Sequence, residues 1–150
     1  MNTRVKICCI QNVREAETAI RYGASAIGLV AEMPSGPGPI PDELIRQIAA
    51  ATPPPVASFL LTSRTTVREI TEHHHRTQTN TIQIVDALSG GTYEELKEAL
   101  PGIKIVQVIH VIDDRSVDEA MRIAPSVDAI LLDSGNPNLK VKELGGTGRV

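Results

Sequence analysis

The sequence predicts an α/β fold assembled from successive parallel strand–helix units. Six short apolar runs alternate with helix-like segments at a repeat of roughly 20–30 residues, the pattern of consecutive βα units. Several of those runs are nearly continuous in Ile, Val, Leu and Ala, as parallel strands buried on both faces tend to be. The alternation alone is compatible with a (β/α) barrel segment and equally with an open doubly wound sheet. Neither GxGxxG nor the GxxxxGK phosphate loop occurs, which weighs against a nucleotide-binding sheet.

Taken in order, Arg4–Ile10 is the first strand, and Asn12 is a good N-cap for a helix over Val13–Tyr22 that Gly23 ends. Ala26–Ala31 is the second strand. A Pro/Gly loop, Met33–Pro41, leads into a helix from Asp42 to Ala51. Val56–Thr62, Thr81–Val85, Lys104–Val111 and Val127–Asp133 read as strands three to six. Helices over Thr65–Gln78, Tyr93–Leu100 and Ser116–Ala124 separate them, the middle one closed by Pro101 and Gly102. An irregular polar stretch, Ser134–Gly148, follows the sixth strand.

With 150 residues, one domain with a real core is expected. A net charge of −3 supplies no basic field for nucleic acid or an anionic membrane, and 2% aromatic residues supply no stacking platform for bases. No window approaches a membrane span, and Met1–Ile10 does not read as a signal peptide. The two cysteines, Cys8 and Cys9, are adjacent; an extended strand would turn them to opposite faces, which disfavours a disulfide. Both are expected to be reduced thiols in a cytoplasmic protein.

Strand ends carry the chemistry in a barrel. Here they hold Cys8 and Cys9, Glu32, Thr62 to Arg64, Gln83 and Asp86, His110, and Asp133 with Ser134. Singly, each has an ordinary explanation: a strand cysteine as a small buried hydrophobe, a strand-end aspartate as a turn residue, a histidine that is packed or solvated. The run His73–His75 splays about 100° per residue on a helix and cannot converge on one metal ion; it reads as a solvated face, and no metal is expected.

The combination says more. Lys6-Ile7-Cys8-Cys9-Ile10 opens the first strand, and Gly23-Ala24-Ser25-Ala26-Ile27-Gly28 leads into the second. Leu131-Leu132-Asp133-Ser134 ends the sixth, and Gly145-Gly146-Thr147-Gly148 follows. In order and separation these resemble the phosphoribosylanthranilate isomerase family, whose members carry KICG, GADAxG, LLD and GGTG at the same places. The resemblance extends from Val5 to Val150.

What it implies is a (β/α)8 TIM barrel of the ribulose-phosphate-binding type. The implied activity is an Amadori rearrangement of N-(5-phosphoribosyl)anthranilate, run by general acid–base catalysis without metal or organic cofactor. The family's strand-one cysteine, its general base, falls on Cys8, and its strand-six aspartate, the general acid, on Asp133. Gln83 matches a glutamine at the end of strand four that touches substrate. Gly145, Gly146 and Gly148 match the loop after strand six, where bare backbone can approach a ligand. Lys6, two residues before Cys8 and so on the same face, is expected to support the thiolate with its charge.

Three positions depart from the family. Cys9 replaces its glycine and is expected to pack toward the helix layer. Met33–Pro41 has no arginine for the anthranilate carboxylate, which leaves Arg64 as the nearest replacement. Val85, followed by Asp86, stands where a histidine is usual. The acid–base pair survives these changes; another aminosugar phosphate as substrate, or a non-catalytic metabolite-binding barrel, stays open.

Such barrels typically run to about 200–250 residues, so the chain reads as one incomplete domain truncated after strand six. By itself it is expected to be inactive and prone to associate with a second copy through its open edges.

Overall fold

The computed structural model describes residues 3–34 and 38–134. Its elements are β1 (Lys6–Ile7), α1 (Val13–Arg21), β2 (Ala26–Val30), α2 (Asp42–Ala51), β3 (Ala57–Thr62) and α3 (Val67–Thr77), then β4 (Thr81–Ile84), α4 (Tyr93–Ala99), β5 (Lys104–His110), α5 (Arg115–Ile123) and β6 (Ala129–Asp133). All strand pairings are parallel and the strand order is β1-β2-β3-β4-β5-β6. A doubly wound sheet reverses direction at a switch point. Consecutive order throughout, with a helix after every strand but the last described, is the barrel arrangement.

The sheet is curled, and one contact demonstrates it. Lys6 Nζ on β1 donates a hydrogen bond to Gln83 Oε1 on β4. In a flat sheet those strands lie roughly 14 Å apart, at about 4.8 Å per step. The bond can form only across a concave face.

Local sequence starts and stops the helices. Asn12, Thr66 and Thr92 each accept a backbone hydrogen bond from the residue three positions on, and Thr92 with Glu95 completes a capping box. After α1 the chain turns through Gly23 at φ 96°, with Gly23 N–H on Ile20 O and Ala24 N–H on Ala19 O.

The convex face of the sheet holds the core. Ile27 and Leu29 of β2 and Leu60 of β3 pack with Ala16 of α1 and with Ile45 and Ile48 of α2. Ile82, Ile84 and Ile105 of β4 and β5 pack with Ile70 of α3 and Leu96 of α4. Because strand side chains alternate, this register turns Lys6, Gly28, Phe59, Gln83, Val106 and Val108 toward the concave side.

Two sequence expectations need correction. The first strand is shorter than Arg4–Ile10: only Lys6 and Ile7 pair as strand, because Cys9 adopts φ 60° and leaves the β region. His73 and His74 are buried and do not form a solvated face; only His75 is exposed. His73 Nε2 donates to Asp42 Oδ1 at 3.0 Å while its Nδ1 meets Thr62 Oγ1 at 2.9 Å, and His74 Nε2 donates to Thr79 O at 2.7 Å. The helical splay is as expected, but two of its three directions point into the layers between helices and sheet.

Among the described residues β1 and β6 are each paired on one side only. Val5, Ile7 and Tyr22 are exposed beside the first edge, Val117, Met121 and Leu132 beside the other. No described helix is long and apolar enough to cross a membrane.

Candidate active site

Cys8 follows β1 and stands beside Gly28 of β2. The fit is close: a Cβ built on Gly28 would lie 2.6 Å from Cys8 Sγ. Glycine at this position is therefore a space requirement of the thiol.

Cys9 breaks the alternation expected of neighbouring strand residues. At φ 60° it occupies the left-handed region, which a glycine enters at no steric cost. Its side chain turns to the loop before α2, where a Cβ on Gly38 would come within 2.8 Å of Cys9 Cβ, instead of packing against the helix layer. The turn also keeps the two thiols in contact. The Cys9 thiol is pushed up first by burial, then by the charge of Cys8 and a hydrogen bond with it; the Lys6 ammonium opposes this. Neither cysteine is in a disulfide.

Lys6 reaches into the concavity, where Nζ meets Gln83 Oε1 and sits 4.7 Å above the centre of the Phe59 ring. Burial lowers its pKa, and the negative charge available on Cys8 and Cys9 works against that loss. A half-buried ammonium with one amide oxygen, one aromatic face and two thiols around it is a cation whose remaining hydrogen-bonding capacity is directed at the site.

Asp133 ends β6, opposite His110 of β5 in register. His110 Nδ1 lies 3.7 Å from Asp133 Oδ2, and His110 Nε2 lies 3.2 Å from Val85 O. Both side chains are mostly buried. Arg64, after β3, is exposed, with a guanidinium nitrogen 4.0 Å from Glu32 Oε2; its backbone N–H is held by Thr62 Oγ1 at 3.2 Å.

Of the residues singled out from sequence, the fold thus joins Lys6 with Gln83 and keeps both near Cys8. Asp133 is at the far end of the row of six strands, paired with His110, and Arg64 stands apart at the rim. Gly145, Gly146 and Gly148 lie outside the described residues. Phe59, Gly28 and the His110–Asp133 pairing were not anticipated. Gly28 had been noted only as part of a motif, and the strand-end position of His110 was its one visible signal.

No protein-family model matches the chain. It is 33% identical, over 98% of its length, to an N-(5'-phosphoribosyl)anthranilate isomerase of Halobacterium salinarum, covering 65% of that protein. It is 30% identical, again over 98% of its length, to N-(5'-phosphoribosyl)anthranilate isomerase 2 of Methanosarcina mazei, covering 65%. The crystal structure of phosphoribosyl anthranilate isomerase from Thermotoga maritima superposes with a TM-score of 0.74 at 26% identity, over 92% of this chain and 64% of that one. A structure of such an isomerase in complex with reduced 1-(o-carboxyphenylamino)-1-deoxyribulose 5-phosphate gives a TM-score of 0.72 at 26% identity, over 88% of this chain and 65% of that one. The chain spans a little under two thirds of the length of these curated relatives. In sequence and in fold, along nearly all of its length, the chain is similar to N-(5'-phosphoribosyl)anthranilate isomerases.

Proposed function

We propose that the protein is a phosphoribosylanthranilate isomerase, and that its 150 residues form one barrel domain's β1-to-β6 portion of the active site. In this reading Asp133 protonates the ribose ring oxygen of N-(5-phosphoribosyl)anthranilate, and the C1′–O bond opens to a Schiff base. Cys8, as thiolate, removes the C2′ proton, and the resulting enolamine tautomerises to 1-(2-carboxyphenylamino)-1-deoxyribulose 5-phosphate. An acid and a base in opposite protonation states are needed, and no metal or organic cofactor enters. The observation that carries the reading is the Cys8 thiol seated on Gly28 beside the Lys6–Gln83 pair, on the concave face.

Lys6 holds the thiolate by charge, and Gln83, bonded to Lys6, orients it and meets the substrate. Gly145, Gly146 and Gly148 supply bare backbone to the ligand. Arg64 takes the anthranilate carboxylate in place of the arginine that Met33–Pro41 lacks. Its exposure and its position at the rim suit that role, since a guanidinium held only 4.0 Å from one carboxylate is available to another. The protein works in the cytoplasm on a small phosphoribosyl substrate, without nucleic acid, and self-association occurs through the β1 and β6 edges.

The same contacts favour a second reading. With no arginine in Met33–Pro41, the Cys8/Asp133 pair serves a different aminosugar phosphate.

The test follows the fluorescence of freshly made phosphoribosylanthranilate with the protein expressed to its natural stop codon, beside Cys8→Ala and Asp133→Asn. Turnover that both substitutions abolish establishes the isomerase. A folded protein that ignores this substrate and turns over a non-anthranilate analogue establishes the second reading. Normal rates in both variants refute the roles given to Cys8 and Asp133.

A further inference from the structure

His110 carries a hydrogen-bonding constraint that the proposed mechanism has not used. Its Nε2 faces the main-chain oxygen of Val85 at 3.2 Å. A carbonyl only accepts, so Nε2 bears the hydrogen, and in the neutral ring Nδ1 is a bare lone pair. That Nδ1 is buried, has no hydrogen-bond partner among the described residues, and lies 3.7 Å from Asp133 Oδ2. An ionised carboxylate beside a buried lone pair would set two acceptors against each other and leave the buried Nδ1 unsatisfied. One proton between them removes the conflict.

Among the described residues, the surroundings do not supply that proton from elsewhere. Just after β4, the chain beside the ring offers the Val85 carbonyl, and the Asp86 carbonyl is taken by Gln107 Nε2 at 3.1 Å. From α5 and the turn before it, Asp113, Arg115 and Glu119 line the adjoining cleft with His110, but Arg115 is bound to Asp113 at 2.6 Å and is largely exposed. Ser116 Oγ donates to the His110 carbonyl at 3.2 Å, away from the ring. Asp133 is therefore the group that the lone pair addresses.

We infer that His110 is a positioning residue for Asp133: Val85 fixes its ring as the Nε2–H tautomer, and its Nδ1 retains the proton that Asp133 delivers to the substrate. This rests on Asp133 being the general acid. In this proposal one proton serves the pair, whose facing atoms, Asp133 Oδ2 and His110 Nδ1, stand 3.7 Å apart. When the ring oxygen of the substrate takes it, the C1′–O bond breaks, the pair is left one proton short, and solvent restores it after product leaves. His110 itself need not touch substrate.

Two substitutions separate this from a packing role. Gln at position 110 can present an amide N–H to Val85 and an amide oxygen to the Asp133 hydroxyl, whereas Leu offers only volume. His110→Leu is expected to lower kcat at pH 8 by tenfold or more, to shift the alkaline limb of the rate profile to lower pH, and to leave KM within about threefold. His110→Gln is expected to recover most of that rate. A His110→Leu profile that matches the parent, or a Gln variant as poor as Leu, overturns the inference.

Imidazole nitrogen NMR on the 150-residue chain tests it without any turnover. The neutral ring is expected as Nε2–H, with an Nδ1 signal that moves when Asp133 is replaced by Leu. An Nδ1–H ring, or an Nδ1 signal indifferent to Asp133→Leu, overturns the pairing whatever the enzyme does. If the tautomer holds but no isomerase activity is found, the functional reading fails and the pairing stands.

Discussion

Gly28 lies against Cys8 so closely that an added Cβ would stand 2.6 Å from the thiol sulfur and 3.2 Å from Cys8 Cα. The second contact is with backbone, so rotating the thiol cannot relieve it. Gly28→Ala is expected to push the Cys8 segment off β2 and to cost about 1–3 kcal/mol of stability. Activity should fall by more than tenfold, because Cys8, the proposed general base, moves. A urea melt and a rate measurement on the same preparation check both; an unaffected rate would show that Cys8 is not held by this contact.

Cys9 tests the backbone itself. A non-glycine residue in the left-handed region costs about 1–2 kcal/mol, and a β-branched one costs more. Cys9→Gly should therefore fold well and raise the urea midpoint, less the value of the lost thiol contact. Cys9→Val should lower it. The reverse order would mean that the φ of 60° does not persist in solution.

The buried histidines predict acid lability. Burial is the main cause that lowers the pKa of both His73 and His74 from 6.5. The folded state then binds fewer protons than the unfolded chain below about pH 6.5, so stability is complete above that value and declines as pH falls toward the folded pKa. Asp42 acts in the same direction at lower pH. Burial raises its carboxyl, but the hydrogen bond from Arg76 and the contact with His73 outweigh that, and the net shift is downward. Its stabilisation is present above about pH 3.9 and is lost as pH falls through the lower folded value. Urea midpoints should drop between pH 7.5 and 5.5, and less steeply in His73→Leu, which should itself cost about 1–3 kcal/mol by stranding Asp42 and Thr62.

Lys6 should set the reactivity of its neighbours. Lys6→Met removes an ammonium beside the two thiols and leaves Gln83 Oε1 without the donor it has in Lys6. Alkylation of Cys9 at pH 7 is expected to slow, because the Lys6 ammonium opposes the upward push on that thiol. Gln83→Leu should have a smaller effect of the same sign. An unchanged alkylation rate in Lys6→Met would remove Lys6 from the account of the thiolate.

The element order was legible in the sequence because the signals for it are local. Aliphatic runs mark strands, Asn12 and Gly23 bracket the first helix, and Pro101 with Gly102 closes the fourth. Their curling into a barrel-type sheet needed either the family motifs or the fold, since alternation does not say which strand neighbours which. What stayed hidden depends on contacts distant in sequence. Lys6 and Gln83 are 77 residues apart, and nothing in either segment indicates that they meet. Helical geometry gave the directions of His73 and His74 but not the half-buried Asp42 and the buried Thr62 and Thr79 at the ends of those directions. Cys9 was misread because alternation was carried one residue past the point where the backbone leaves the strand.

The hydrogen bonds behind Arg64 have a consequence for where mutations are felt. Its N–H is tied to Thr62 Oγ1, that hydroxyl to His73, His73 to Asp42, and Asp42 to the solvent-facing Arg76 at 2.8 Å. The rim loop is thus anchored through a polar chain whose last link is on the outside of the molecule. If Arg64 holds substrate as proposed, a substitution at Arg76 would loosen its footing and appear as poorer substrate capture with the chemical step intact. Variation on that outer helix surface would then be constrained by ligand affinity as well as by folding.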